Sequence, residues 1–161
     1  MSEQERNINW RTIGVRRDRK YNALVERLSS ADSKGIFRYH KDLMVFAAMI
    51  GYSEGKSSPV SNDNVGIILD TYSSDNKDAF IYLLALMDRK EANCLKDENL
   101  TESVKIFEGY CDAGLGIIQN WFDDNPADPS GIDTILTKIY ERICLNENTN
   151  ENNDDLTPEF G

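Results

Sequence analysis

The side chains of this 161-residue sequence that could perform acid–base chemistry or bind a metal ion are few and scattered. The single histidine, His40, could act as a general base or contact an anion at a helix start, although a capping or surface histidine is the more ordinary interpretation. The cysteines Cys94, Cys111 and Cys144 lie far apart in the sequence, which excludes zinc-site spacing and a disulfide scaffold. We therefore expect no metal centre.

Motifs for cofactors and catalysis are equally sparse. Neither of the nucleotide-binding motifs, the Walker pattern and G-x-G-x-x-G, occurs in the sequence. The nearest match, Gly-Leu-Gly at 114–116, lies in an apolar helical stretch with no strand before it. Acidic pairs such as 123–124 stand in polar turns, where solvated charge is the ordinary role. Near a single element, acids mix with lysine only at Lys41, Asp42, Glu54 and Lys56. We expect no catalytic residue and no cofactor, and that mixture leaves a small metal-dependent nuclease or other enzyme as the alternative.

Basic residues concentrate near the start of the chain. Residues 1–60 contain 11 Lys and Arg against 7 Asp and Glu, whereas residues 61–161 contain 7 against 21. Between positions 6 and 20, the basic side chains face only Asp18 as a counter-charge. The net charge of -10 opposes DNA binding by the whole molecule, but a local cluster can still neutralise several phosphates. The cluster predicts a surface for DNA or for an acidic partner, including the chain's own tail, unless it only solvates a helix start.

The spacing of apolar residues predicts a mainly α-helical fold of about five helices. They are expected at about 18–30, 41–50, 76–89, 101–121 and 129–143, with a short strand near 65–69. Helix 41–50 is apolar nearly all round, so we expect it at the centre of the core with Phe46 buried. The glycines at 109, 114 and 116 predict a kink or a close helix contact.

The composition changes at both ends of the chain. We expect a basic arm at 1–14, one compact helical domain at 15–145 and a disordered acidic tail at 146–161, because that last segment is too polar to offset its ordering entropy. No stretch approaches the roughly 18 consecutive apolar residues of a membrane span. The first 30 residues are charged rather than an apolar signal core, so the sequence predicts a cytoplasmic protein.

Three segments stand out by their residues and order: VRRDRKY at 15–21, YHKDLMVFAAMIGYSEGK at 39–56 and IFEGYCDAGLGII at 106–118. In all three the chain resembles the family of DNA phosphorothioation-associated protein 4, also called dnd system-associated protein 4. It departs from the family pattern by the extra residue His40 and by Cys111 and Ala113, which stand where Ala and Gly are usual.

The resemblance implies a place in a prokaryotic system that replaces a non-bridging phosphate oxygen of DNA with sulfur and restricts unmodified invading DNA. It implies no catalytic mechanism and no active site. We therefore expect a non-catalytic accessory of this modification and restriction defence, one that binds protein subunits of the machinery and for which DNA is a further candidate partner. The residues predicted to make these contacts are Arg16, Arg17, Arg19, Lys20, Arg38, His40, Lys41 and Lys56.

Overall fold

The computed structural model describes residues 9–30, 32 and 34–151. In that part of the chain, six α-helices and one two-stranded antiparallel sheet confirm the predicted mainly α-helical fold. The elements are β1 (Gly14–Asp18), α1 (Asn22–Leu28), α2 (His40–Ser53), β2 (Asn64–Ile68), α3 (Leu69–Ser73), α4 (Asp78–Arg89), α5 (Leu100–Asp123) and α6 (Ile132–Glu151). Contacts divide the chain into two compact units, Met1–Asn120 and Trp121–Gly161.

The basic segment, Arg16 to Lys20, lies in a strand and a 3-10 turn, so the prediction of a helix over 18–30 was wrong at its start. β1 pairs with β2 in a register that places Arg16 opposite Gly66, and the short strand predicted near 65–69 is confirmed as β2. The Asp18 carboxylate accepts a hydrogen bond of 3.0 Å from the backbone N–H of Lys20, which caps a 3-10 turn over Arg19–Tyr21. Helix α1 therefore begins only at Asn22.

The core of the first unit is built where α2 meets α5. A Cβ on Gly51 would overlap the carbonyl oxygen of Tyr110, and a Cβ on Gly114 would overlap the carbonyl oxygen of Ala47. The close helix contact that the glycines predict is therefore confirmed, because only glycine lets these two backbones approach so closely. The apolar stretch 114–116 is thus part of a helix–helix contact.

Helix α2 lies in the core as expected, but the prediction that Phe46 is buried was wrong. Leu43, Met44 and Ala47 are fully buried, whereas Phe46 is only half-buried. The Phe46 ring lies against Phe37, with ring centroids 5.3 Å apart, at the margin of the core.

In the second unit, Asp128 fixes the start of α6. Its carboxylate accepts hydrogen bonds from the backbone N–H groups of Gly131 at 3.1 Å and Thr134 at 2.8 Å, as expected of a capping residue. Along this helix Ile135 is buried and Ile139 is half-buried, whereas the exposed large apolar side chains include Ile132, Leu136, Tyr140 and Ile143.

Helix α6 extends to Glu151 and so enters the segment predicted to be a disordered tail from residue 146. The remainder of that tail, 152–161, and residues 1–8 of the predicted arm lie outside the described residues. Among the described helices, none combines the length and the apolar character that crossing a lipid bilayer requires.

Candidate functional site

The strand β1 turns its two adjacent arginines in opposite directions. Arg17 is 5 % exposed, and its Nη1 donates a hydrogen bond of 2.6 Å to Oδ1 of Asn22. Burial lowers the pKa of the Arg17 guanidinium, since desolvation disfavours its charged form. Arg16 is exposed. Of these two predicted binding residues, only Arg16 therefore presents its charge to solvent.

The other two members of the basic segment make local contacts. The Nε of Arg19 lies 2.9 Å from Oδ1 of Asp63, and its Nη2 donates to the carbonyl oxygen of Asn64 at 3.0 Å. The Nζ of Lys20 lies 3.5 Å from Oδ2 of Asp18. Arg19 thus links the loop before β2 to the end of β1. Lys20 forms a salt bridge with the carboxylate of Asp18, which caps the 3-10 turn.

The predicted binding residues near α2 are not brought to one place. Arg38 stacks on the ring of Tyr39 at 5.2 Å, and Nε2 of His40 lies 3.8 Å from Oε1 of Glu26. Lys56 is exposed beyond the other end of the helix. Arg38 and His40 therefore lie at one end of α2, and Lys56 lies beyond the other.

Lys41 is a buried structural lysine. It is 7 % exposed, and its Nζ lies 2.9 Å from Oδ1 of Asp75, with further hydrogen bonds to the carbonyl oxygen of Thr71 and the hydroxyl of Ser74. The hydrogen bond from Lys41 lowers the pKa of Asp75. Because an ammonium group has three N–H donors, these contacts use the full capacity of Lys41.

The acids proposed for a metal-dependent enzyme lie at opposite ends of α2. Asp42 is in the first turn and faces Nζ of Lys77 at 3.8 Å, whereas Glu54 follows the last residue of the helix. Twelve residues of helix separate them by about 18 Å along the axis. In the part of the chain that the structure describes, no three His, Cys, Asp or Glu side chains form a group that could hold a metal ion.

A polar groove, the β1–α5 groove, is formed by β1, the loop 57–62 and the first half of α5. Ser58 holds the loop on the helix, because its N–H donates to the carbonyl oxygen of Gly109 at 3.0 Å and its hydroxyl donates to Oδ2 of Asp112 at 2.8 Å. The backbone N–H of Arg16 donates to Oε1 of Glu108 at 2.8 Å. The loop and β1 are thus fixed to α5 by hydrogen bonds that two of its carboxylates and one of its backbone carbonyls accept.

Two cations flank a buried carboxylate in the β1–α5 groove. Arg16, Lys105 and Glu108 line both of the depressions from which the groove is made. Burial raises the pKa of Glu108, although the N–H of Arg16 and the charges of Arg16 and Lys105 act in the opposite direction. Lys105 and Glu108 were not among the predicted site residues, but their spacing with Asp112 in the mostly apolar stretch 104–118 is the signal that could have identified them.

Helix α4 carries an apolar surface on its outer side as well as its inner side. Residues 79–87 are nine consecutive apolar residues, yet only Ile81, Leu84 and Ala85 are buried. The outer face of α4 is exposed and consists of Ala79, Phe80, Leu83, Leu86 and Met87. A helix that is apolar all round is normally buried on all sides, so this face has the character of a contact surface.

The reactive side chains on α5 are held in unreactive environments. Burial raises the pKa of the Cys111 thiol, so the thiolate nucleophile is disfavoured. Tyr110 donates its hydroxyl proton to the Asp88 carboxylate, and this hydrogen bond raises the pKa of Tyr110 to about 12. The arrangement around these side chains stabilises the packing and offers no activated nucleophile.

Comparison with known proteins gives one family. The model of the family described as DNA sulphur modification system-associated protein 4 matches residues 14–157. No curated protein and no solved structure matches the chain.

Proposed function

Because the chain belongs to the family of DNA sulphur modification system-associated protein 4, we propose that it is a non-catalytic accessory of a DNA phosphorothioation system. It acts in the cytoplasm by binding a protein subunit of the modification or restriction machinery, and so contributes to defence against invading DNA. The contact surface is the outer face of α4.

The observation that carries this proposal is the exposed apolar helix. Leu83 is 45 % exposed at the centre of the outer face of α4, with Phe80 and Met87 on either side at helical spacing. Charged residues surround this apolar strip, among them Lys77, Asp88, Arg89 and Lys90. An apolar centre with a polar rim is the usual organisation of a protein–protein interface.

The positions of the charged residues near α2 support a non-catalytic role. Lys41 forms a salt bridge with Asp75, and Asp42 and Glu54 are separated by the length of α2. Catalysis by a general base or a metal requires such groups to converge within hydrogen-bond or ligand distance of one reacting atom. These groups instead stabilise the fold.

The proposal is tested by capture of partners from the native host. The tagged chain should recover a subunit of the modification or restriction machinery, identified by mass spectrometry. The double variant Leu83→Glu with Met87→Glu should lose that subunit, because two carboxylates would have to be desolvated at the centre of the interface. It should also keep its fold, since both side chains are exposed.

A matched control is provided by α6. Leu136→Glu with Ile143→Glu makes the same chemical change at two exposed apolar positions of another helix, and this variant should retain the subunit. Loss of the subunit from the α6 variant but not from the α4 variant would contradict the assignment to α4. Failure of the parent chain to recover any subunit of the machinery would contradict the proposed function itself.

A further inference from the structure

The β1–α5 groove has the composition of a surface that contacts a nucleic-acid backbone. Besides Arg16, Lys105 and Glu108, the described residues that line it carry hydroxyl and amide side chains at both ends, including Asn9, Thr12, Thr101, Ser57, Asn62 and Asn64. Arg, Lys, Ser, Thr and Asn side chains supply most of the hydrogen bonds that proteins make to phosphates and sugars of DNA. Apart from Glu108, the polar side chains of the described lining are all of these five types.

The cations in the centre of this groove are available to a ligand. Within the described part of the chain, the Arg16 guanidinium makes no salt bridge, although its backbone N–H is bound to Glu108. Lys105 is mostly exposed, and its contact with Glu102 at 3.3 Å is an exposed pair one helical turn apart. Such surface pairs contribute little free energy, so a phosphate can replace Glu102 as the partner of Lys105.

We propose that the β1–α5 groove binds the phosphodiester backbone of duplex DNA, with a phosphate held between the Arg16 guanidinium and the Lys105 ammonium. Recognition is independent of base sequence, because the lining side chains reach phosphates and sugars. No aromatic side chain is among the described residues that line the groove, and these residues therefore offer no platform on which the bases of a single strand would stack. These residues are not on α4, so this inference goes beyond protein docking and does not depend on it.

Glu108 sets the affinity of the groove for the phosphate. Its carboxylate lies one helical turn after Lys105 on α5 and accepts the N–H of Arg16, so it repels a phosphate held by these two residues. One neutralised phosphate predicts a slope of log K against log salt of about -0.9, which corresponds to a weak association. Such an interaction suits a chain that stays on DNA mainly through its partner.

Binding of a fluorescently labelled duplex of about 20 base pairs to the full chain, measured by anisotropy over a range of low salt concentrations, tests the proposal. The double variant Arg16→Gln with Lys105→Gln should weaken binding by about 10-fold or more at the lowest salt and bring the salt slope near zero. Glu108→Gln keeps an acceptor for the Arg16 N–H and removes the repelling charge, so it should bind the duplex several-fold more tightly. A merely structural role for Glu108 would not raise the affinity.

The matched control removes the same charge elsewhere. Arg27→Gln with Lys96→Gln replaces an exposed arginine and an exposed lysine that do not line the groove, and it should leave both the affinity and the salt slope nearly unchanged. Equal losses in the two double variants, or no loss in the groove variant, would overturn the proposal. So would the absence of duplex binding by the parent at low salt, or tighter binding of a single-stranded oligonucleotide or an acidic peptide. Capture of the protein subunit through α4 is measured separately and does not change with any of these outcomes.

Discussion

The Glu108 carboxylate on α5 accepts a hydrogen bond of 2.8 Å from the backbone N–H of Arg16 on β1, a residue 92 positions earlier in the chain. That N–H does not pair with β2, so without Glu108 it would be an unpaired backbone donor on the outer edge of β1. A hydrogen bond to an ionised carboxylate is stronger than one to a neutral acceptor. The same contact closes the edge of β1 and leaves the Arg16 side chain directed into the groove.

Glu108 should make the stability of the fold depend on pH. Burial raises its folded pKa, so the unfolded chain releases this proton first and the free energy of unfolding falls as the pH rises between the two pKa values. Glu108→Gln removes that contribution. In thermal melts from about pH 4 to pH 7, the parent should lose more stability than the variant. A parent and variant with the same pH dependence would show that Glu108 is as easily ionised in the fold as in the unfolded chain.

Arg16 and Arg17 should respond differently to the same substitution. Arg16→Ala should change the free energy of unfolding by no more than about 0.5 kcal/mol, because the side chain is exposed. Arg17→Ala should cost about 1–3 kcal/mol, since it removes a buried aliphatic stem and the hydrogen bond to Asn22. Chemical denaturation measures both. Equal effects would mean that the alternation of side chains along β1 has been assigned wrongly.

Leu43 should matter more to the core than Phe46. Leu43→Ala should cost about 2–5 kcal/mol, because its side chain is fully buried in α2. Phe46→Ala should cost less than this, although it removes the larger side chain, since its ring is half-buried beside Phe37. The order of the two denaturation midpoints checks the placement of α2, and the reverse order would contradict it.

Lys41 should be replaceable by an apolar residue of similar length. Lys41→Met fills the same space with an apolar side chain, and the Asp75 carboxylate that remains is in contact with water, so the change leaves no unpaired buried charge. We expect a melting temperature within a few degrees of the parent and unchanged capture of the partner subunit. Loss of the partner from a folded Lys41→Met variant would restore Lys41 as a binding residue.

The separation of Asp42 from Glu54 predicts the outcome of a nuclease assay. Plasmid incubated with the purified chain and magnesium or manganese should remain intact, because the two carboxylates cannot hold one cation between them. Cleavage that is present in the parent and abolished in Asp42→Ala would contradict the proposed non-catalytic role. Cleavage that persists in this variant would point to a contaminating enzyme.

The sequence by itself determined the helical character of the fold. Helices α2, α4 and α5 follow the 3.6-residue period of their apolar residues, which is a local property of the chain. The branched run at β2 and the glycines of α5 are also local signals, and each indicated the correct structural role. The family resemblance depended on short segments of the same kind and is confirmed by the match over residues 14–157.

Only the tertiary structure decided which charged and apolar side chains reach the surface. β1 exists because it pairs with β2, about 50 residues away, and this pairing turns Arg17 inward and Arg16 outward. The period of apolar residues in α4 could not show that the outer face of this helix is exposed to solvent. Likewise, no local sequence pattern indicates that Lys105 and Glu108 lie beside Arg16. The burial of a side chain depends on contacts between distant parts of the chain, whereas the local sequence determines only the element that carries it.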